Sequence, residues 1–433
     1  MSGDSDDDVG GDGDGYIPLE SSDEEEEDET GAGAVLPPWF RHEHWCPENV
    51  LVTLHNEILD FCDLVKPTKA EHEDAERALN FVTQVAEQVL GNGVAVHVFG
   101  SHLTKLLVPS SDLDLVIMNA PSNAIHLLSR DLRRRSNTGE IESLEVIGKA
   151  KVPIIKFVYV PPGGTAKLNC DICFNQTSGI NTGRQTVALL SEYEPARPLA
   201  LVMKHYLAQR KHNETYQGGV GSFLLQLMAI SSVQYNLGSL LLHFLHMFGE
   251  GFNYEEVGIS VQDKGYFFRK DQLGRTDALR PWLLSMENPW ETNLDVGKNS
   301  YQIQTISQSF ESNHMALQKA LADRNPNQTP RSYLATVIKV DESLASRALP
   351  AYPLFRAQEF NVHAEEQQAH GKRRRRDSSD EEVSDTGSLR HRSDRKGSSA
   401  HQTQPRHRSA VVQSAGAVPG HGAGHVRSRV LPR

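Results

Sequence analysis

Cysteine is scarce in this chain, with only Cys46, Cys62, Cys170 and Cys173 among 433 residues. Cys170 and Cys173 form one C-x-x-C, but without a second pair they make no zinc ligand set and read as buried thiols. Long apolar runs are also missing. Residues 237–248 are too short to span a bilayer and are interrupted by His243 and His246. The opening Met1-Ser2-Gly3-Asp4 is polar and acidic, without the pattern of a signal peptide. The expectation is a soluble, intracellular protein in a reducing compartment, with no membrane partner, in which Asn175-Gln176-Thr177 carries no glycan. No RNA-recognition signature or zinc knuckle is visible either, and the histidines near the C-terminus are too scattered for a metal site.

Charge is plentiful but uneven. The net charge of -12 hides acidic runs at residues 6–8 and 24–27 and a basic run at residues 372–376. Segments of like charge with few apolar residues cannot offset chain entropy, so residues 1–36 and 355–433 are expected to be disordered tails. The basic run reads as a nuclear import signal in preference to an RNA-backbone contact or a merely solvated segment.

Between the tails the hydrophobic period changes along the chain. Helical spacing governs residues 48–65 and 69–90, with Gly91 as a stop. Residues 94–99, 113–118, 144–147, 153–160 and 166–174 read as strands, with helix over 124–135 and a turn at Gly163-Gly164. Helices are expected at 182–192, 198–211, 222–235, 237–248, 303–323 and 332–347, interrupted by an extended piece around 257–268. The predicted class is α+β: N-terminal helices (37–92), a small mixed-sheet domain (93–180) and a helical domain (181–354).

Chemistry concentrates in Phe99-Gly100-Ser101 followed by Asp112-Leu113-Asp114-Leu115. Residues two apart on a strand share a face, so Asp112 and Asp114 project together while Leu113 and Leu115 turn into the core. Adjacent carboxylates repel, and a hard divalent cation relieves the repulsion; Mg²⁺, with its preference for oxygen ligands, suits the task. Asp171, on a later strand, supplies a third carboxylate, and three can hold two ions. Gly100 lets backbone N–H groups approach a phosphate, and Ser101 adds a hydroxyl. An isolated Asp-x-Asp is usually a solvated turn. The ordered combination of strand, Gly-Ser turn, paired carboxylates and a later Asp favours function over coincidence.

Those residues resemble the signature of the DNA polymerase β nucleotidyltransferase superfamily. The longer run of residues 98–112, with 152–156 and 171–175, resembles non-canonical poly(A) polymerases of the TRAMP, or DNA polymerase sigma, type. The resemblance covers residues 37–347. It implies a polymerase β-like mixed-sheet domain joined to a helical poly(A)-polymerase central domain. It also assigns Lys204 and Ser222 to the triphosphate, Phe223 to stacking on the base, and the loop of Asn293 and Asp295 to base recognition. On the residues alone, Lys204 could instead snorkel to solvent and Phe223 could be core. The recognition stretch departs from the family pattern: Asn288-Pro289 replaces Asp-Pro, Leu294 replaces the usual Asn or His, and Lys298 replaces Arg. The absent histidine tilts the expectation from uridine to adenine.

The expected activity is template-independent addition of AMP from ATP to the 3′ end of nuclear RNA, with two Mg²⁺ ions (Mn²⁺ as substitute) on Asp112, Asp114 and Asp171. The resemblance implies a zinc-knuckle RNA-binding subunit and an RNA helicase as partners, the exosome downstream, and a nuclear or nucleolar location. The rivals are a terminal uridylyltransferase, a catalytically silent RNA-binding scaffold and a small-molecule nucleotidyltransferase.

Overall fold

The computed structural model describes residues 35–351 other than 151, 165–166, 233–235 and 324–328. The tail expectations, including the basic run at 372–376, lie outside the described residues. All elements below belong to the unit that begins at Pro37.

Two long helices come first. Asn49 caps α1 (Val50–Val65) by accepting from the Val52 N–H. Thr68 and Glu71 form a reciprocal capping box at the start of α2 (Lys69–Leu90), which stops at Gly91 with φ +97°. A mixed sheet follows, with β1 (Ala95–Val98), β2 (Leu113–Met118), β3 (Ile141–Ile147), β4 (Ile154–Tyr159) and β5 (Leu168–Phe174) in the order β1-β2-β5-β4-β3. β2 and β5 are parallel, and the other neighbours are antiparallel. The short α3 (Gly100–Thr104) joins β1 to β2, and α4 (Ala124–Arg135) joins β2 to β3.

Alternation along the strands explains how the sheet is placed. Leu113, Leu115 and Ile117 of β2, Ile155 and Phe157 of β4, and Ile172 of β5 are buried in one cluster with Phe81, Val82 and Val85 of α2 and Leu128 and Leu132 of α4. Apolar burial at roughly 25 cal/mol per Å² holds α2 and α4 to that face. The opposite face therefore carries Asp114, Lys156 and Asp171, the residues one position out of phase.

The second body is helical: α5 (Thr177–Glu192), α6 (Ala196–Gln209), α7 (Ser222–Ser231), α8 (Leu237–His246) and α9 (Ile303–Ala322). A π-helical turn, Met247–Gly251, extends α8. A small sheet of β6 (Val257–Ser260), β7 (Tyr266–Arg269) and β8 (Ser285–Met286) has the order β7-β6-β8. The N-terminal helices divide between the two bodies, because Leu54, Ile58, Phe61 and Leu64 of α1 sit in the helical core with Tyr206, Phe244 and Phe310.

The helix expected at 332–347 is not formed. A 3-10 turn, Leu334–Thr336, and the one-turn α10 (Glu342–Ala345) replace it. Glu57 of α1 accepts from the N–H groups of Tyr333 (3.1 Å) and Leu334 (2.7 Å) and from the Ser332 hydroxyl (2.9 Å). The β-branched run Thr336-Val337-Ile338 disfavours helix further, and Asp341 opens a fresh cap by accepting from the Leu344 N–H at 3.0 Å. Among the described residues, no helix is long and apolar enough to cross a membrane, and all four cysteines are free thiols.

Candidate active site

The glycine turn and the first carboxylates are built as one piece. The Phe99 N–H donates to the Asp114 carbonyl at 3.0 Å, which ties the end of β1 to β2. Gly100 then adopts φ +60°, and a Cβ placed there would stand 1.9 Å from Asp114 Oδ2. Only glycine tolerates both the left-handed conformation and that approach.

Asp171 reaches the same place through strand register. Asp114 and Asp171 are direct partners across the parallel β2–β5 pair. The row continues through Lys156 on β4, the partner of Asp171, to Glu145 on β3, the partner of Lys156. Lys156 Nζ lies 2.5 Å from Asp171 Oδ2. Four adjacent strands thus carry a line of charge with the order acid, acid, base, acid. Sequence reading missed Lys156 as a site residue, although Ile154, Lys156 and Val158 alternate with the buried Ile155 and Phe157. That alternation was the available signal.

Electrostatics follow from the crowding. Burial, then the like charges of Asp171 and Asp112, pushes the Asp114 carboxyl up to about 7 against the pull of Lys204 and Lys156. Burial also raises Asp171, opposed by its bond to Lys156. Burial acts to lower Lys156, but Asp171 and Asp112 outweigh it and leave the amine raised. Hard oxygen donors crowded until one resists ionisation are the donor set a divalent cation fits, and Asp112, Asp114 and Asp171 are the residues that would hold it.

Lys204 does not snorkel away. Its Nζ donates to Ser101 Oγ (2.6 Å), Ser111 Oγ (2.9 Å) and the Leu106 carbonyl (3.0 Å), so α6 is tied to α3 and to the loop before β2. Burial holds the amine down to about 8 despite the attraction of Asp114 and Asp112. A lysine whose buried ammonium has only hydroxyls and a carbonyl as hydrogen-bond acceptors is poised to accept a stronger anionic partner.

These groups meet in one cavity of about 890 Å³, lined by Ser101, Asp112, Asp114, Asp171, Lys204 and Ser222 among others. Ser222 is exposed at the start of α7. Phe223 beside it is half-buried and stacked on Trp290, with ring centroids 6.1 Å apart at 19°. It therefore packs against the helical core on one side and Trp290 on another. Tyr216, 76% exposed, also lines the cavity and was not singled out from sequence.

Asn293 and Asp295 are not brought to this cavity. Asn293 is exposed and lines a separate hollow of about 470 Å³ with Gln262, Arg275 and Glu287. The Asp295 carboxylate is taken up locally: it accepts from Ser285 Oγ (2.6 Å), the Met286 N–H (3.0 Å) and the Gly297 N–H (2.9 Å). In this geometry Asp295 braces the turn after β8. Asn288 has a similar local use, accepting from the Trp290 N–H at 3.0 Å.

Known proteins are similar to this chain. Residues 54–191 match the family described as "Poly(A) RNA polymerase, mitochondrial-like, central palm domain", and residues 236–294 match "Cid1 family poly A polymerase". The chain is 32% identical to Poly(A) RNA polymerase cid14 of Schizosaccharomyces pombe over 71% of its own length and 48% of that protein. A solved structure described as the polymerase core of TRAMP, a RNA surveillance complex, superposes with TM-score 0.62 at 25% identity, covering 71% of this chain and all of that one. The matching models and relatives are poly(A) RNA polymerases by description, and the chain is similar to them. It spans about half the length of the cid14 relative. Another relative is named inactive, protein Trf4-2 of Drosophila melanogaster, 28% identical over 68% of this chain and 75% of that one. The likeness supports the fold, and the chemistry depends on the residues of the site.

Proposed function

We propose that the protein is a template-independent RNA 3′-terminal nucleotidyltransferase that adds AMP from ATP. The observation that carries this reading is the facing of Asp112, Asp114 and Asp171 by Lys204 and Ser101 across one cavity. Asp112, Asp114 and Asp171 would hold a pair of divalent cations, Mg²⁺ or Mn²⁺ in its place, which would supply activation of the attacking 3′-hydroxyl and neutralisation at the departing pyrophosphate. The chain's own work is positioning. Ser101, Ser222 and Lys204 hold the triphosphate. Gly100 gives the phosphates access to the backbone. Lys156 fixes the Asp171 carboxylate against the sheet and keeps the acidic row from repelling itself apart.

A silent scaffold is disfavoured because burial and like charge make this trio costly to keep without a task. For the base, Leu294 stands where a histidine would favour uridine, which supports adenine over a uridylyl activity. Nuclear RNA surveillance with a zinc-knuckle subunit, a helicase and the exosome is the setting we propose, with the TRAMP-core likeness as its support. Incubating the protein and a short RNA primer with each nucleoside triphosphate in turn tests the reading. A ladder with ATP that disappears in the Asp112→Ala, Asp114→Ala variant is expected. A natively folded protein that extends the primer with no nucleotide overturns it, and a ladder with UTP alone moves it to the uridylyl reading.

A further inference from the structure

A second cluster of ligand-type side chains lies in the helical body, and none of its members lines the carboxylate cavity. α8 ends on His246, and the π-helical turn that follows folds Glu250 beside it, with His246 Nδ1 2.8 Å from Glu250 Oε1. From α9, His314 faces them, its ring centroid 5.0 Å from that of His246. One ligand atom from each of the three residues lies within 4.8 Å of the other two.

The convergence is set by backbone, which makes it more than an accident of flexible side chains. A Cβ on Gly249 would meet the Glu311 nitrogen at 2.8 Å, so the π-turn lies directly on α9. Ser307 Oγ clamps the contact by donating to the Gly249 carbonyl at 2.5 Å. π-turns inside helices concentrate at functional sites.

An exposed His–Glu pair one turn apart is common and contributes little. It leaves His314 unexplained. That side chain is 7% exposed, and its ring packs against that of His246.

We propose that His246, Glu250 and His314 form a transition-metal site of the Zn²⁺ class that pins α8 and its π-turn to α9. Two imidazoles with one carboxylate suit Zn²⁺ and its neighbours in the first transition row, whereas Mg²⁺ prefers all-oxygen sets. Tetrahedral bonds of about 2.1 Å place ligand atoms roughly 3.4 Å apart, so a small rearrangement that parts the His246–Glu250 contact and draws His314 in completes three positions and leaves the fourth to water.

The test uses the full-length protein stripped of metal and titrated with Zn²⁺ against a chromophoric chelator. The wild type is expected to hold one tight equivalent. His246→Ala and Glu250→Gln are expected to lose it, with affinity falling on the order of 100-fold or more, beyond what outer-shell changes cost. Both changed side chains are about half exposed, so these variants keep the fold even where His314→Ala does not. The Asp112→Ala, Asp114→Ala protein is expected to retain the equivalent, which separates it from the carboxylate cavity. With Co²⁺, the wild type should show the intense visible bands of a four-coordinate site, and His246→Ala should not. Equal Zn²⁺ stoichiometry and affinity in the wild type and His246→Ala, or Co²⁺ bands that survive the substitution, overturn the proposal.

Discussion

The α-carbon of Gly100 faces the carboxylate of Asp114 so closely that an added methyl group would stand 1.9 Å from Oδ2. Gly100→Ala therefore meets two obstacles, a left-handed φ of +60° and a side chain that has to move. A destabilisation of about 1–3 kcal/mol is expected from denaturant unfolding. Because Asp114 cannot stay where it is, primer extension should fall by about 100-fold, the usual scale for ångström-level misplacement. A Gly100→Ala protein with wild-type extension rates would show that the glycine is only a turn residue.

The Asp114 carboxyl stands at about 7 in the folded chain against an ordinary value of 3.8. Between those values the folded state keeps a proton that the unfolded state has released, so stability falls as pH rises. The contribution is complete below about pH 4 and gone above about pH 7. Asp114→Asn cannot ionise and escapes this loss. In chelator, the Tm of the variant minus that of the wild type should climb steadily between pH 4.5 and 8. Saturating Mg²⁺ should narrow the gap at the upper end by stabilising the wild type. Glu57, also raised to about 7 by burial, titrates in both proteins and cancels in the difference. A flat difference across the range would mean that the carboxylates do not repel as their spacing implies.

How far the sequence was legible depended on how local each feature is. The facing of Asp112 and Asp114 could be read from alternation with Leu113 and Leu115, because side-chain direction on a strand repeats every second residue. The capping box at Thr68 and the stop at Gly91 were local in the same way. The pairing of Asp171 with Asp114 depends on the register between two strands far apart in sequence, which no local pattern encodes. The region 332–347 misled for a related reason: its spacing is helical, but its N–H groups are claimed by Glu57 from the other end of the described chain. Asp295 shows the limit of a motif. The residue is where the family pattern expects it, and its carboxylate is spent on its own turn.

Lys204 sets stability against function. Its amine is buried, held down to about 8, and balanced by two hydroxyls and a carbonyl in place of a charge. Lys204→Met keeps the packing and removes the desolvation cost, so the nucleotide-free protein should be as stable as the wild type or more so. In primer extension kcat/KM for ATP should drop by about 100- to 1,000-fold, the range for loss of a preorganised charge at a phosphate. A variant that loses Tm but keeps its rate would make Lys204 a structural strut.

Asn293 and Asp295 should separate cleanly under substitution, since one is exposed and the other is tied by hydrogen bonds at 2.6, 2.9 and 3.0 Å. Asp295→Ala leaves the Ser285 hydroxyl and two backbone N–H groups without their acceptor. It should cost about 2–4 kcal/mol in unfolding experiments and lower extension with every nucleotide alike. Asn293→Ala removes no buried partner and should leave Tm within about 0.5 kcal/mol of the wild type in equivalent stability. If the loop swings to the base when nucleotide binds, the ratio of ATP to UTP incorporation should shift in Asn293→Ala alone. The decisive measurement is that ratio, taken with equal concentrations of both nucleotides on one primer. A shift of equal size in the two variants would assign base choice to the posture of the whole turn after β8, and no shift in either would move base recognition to the Phe223–Trp290 stack.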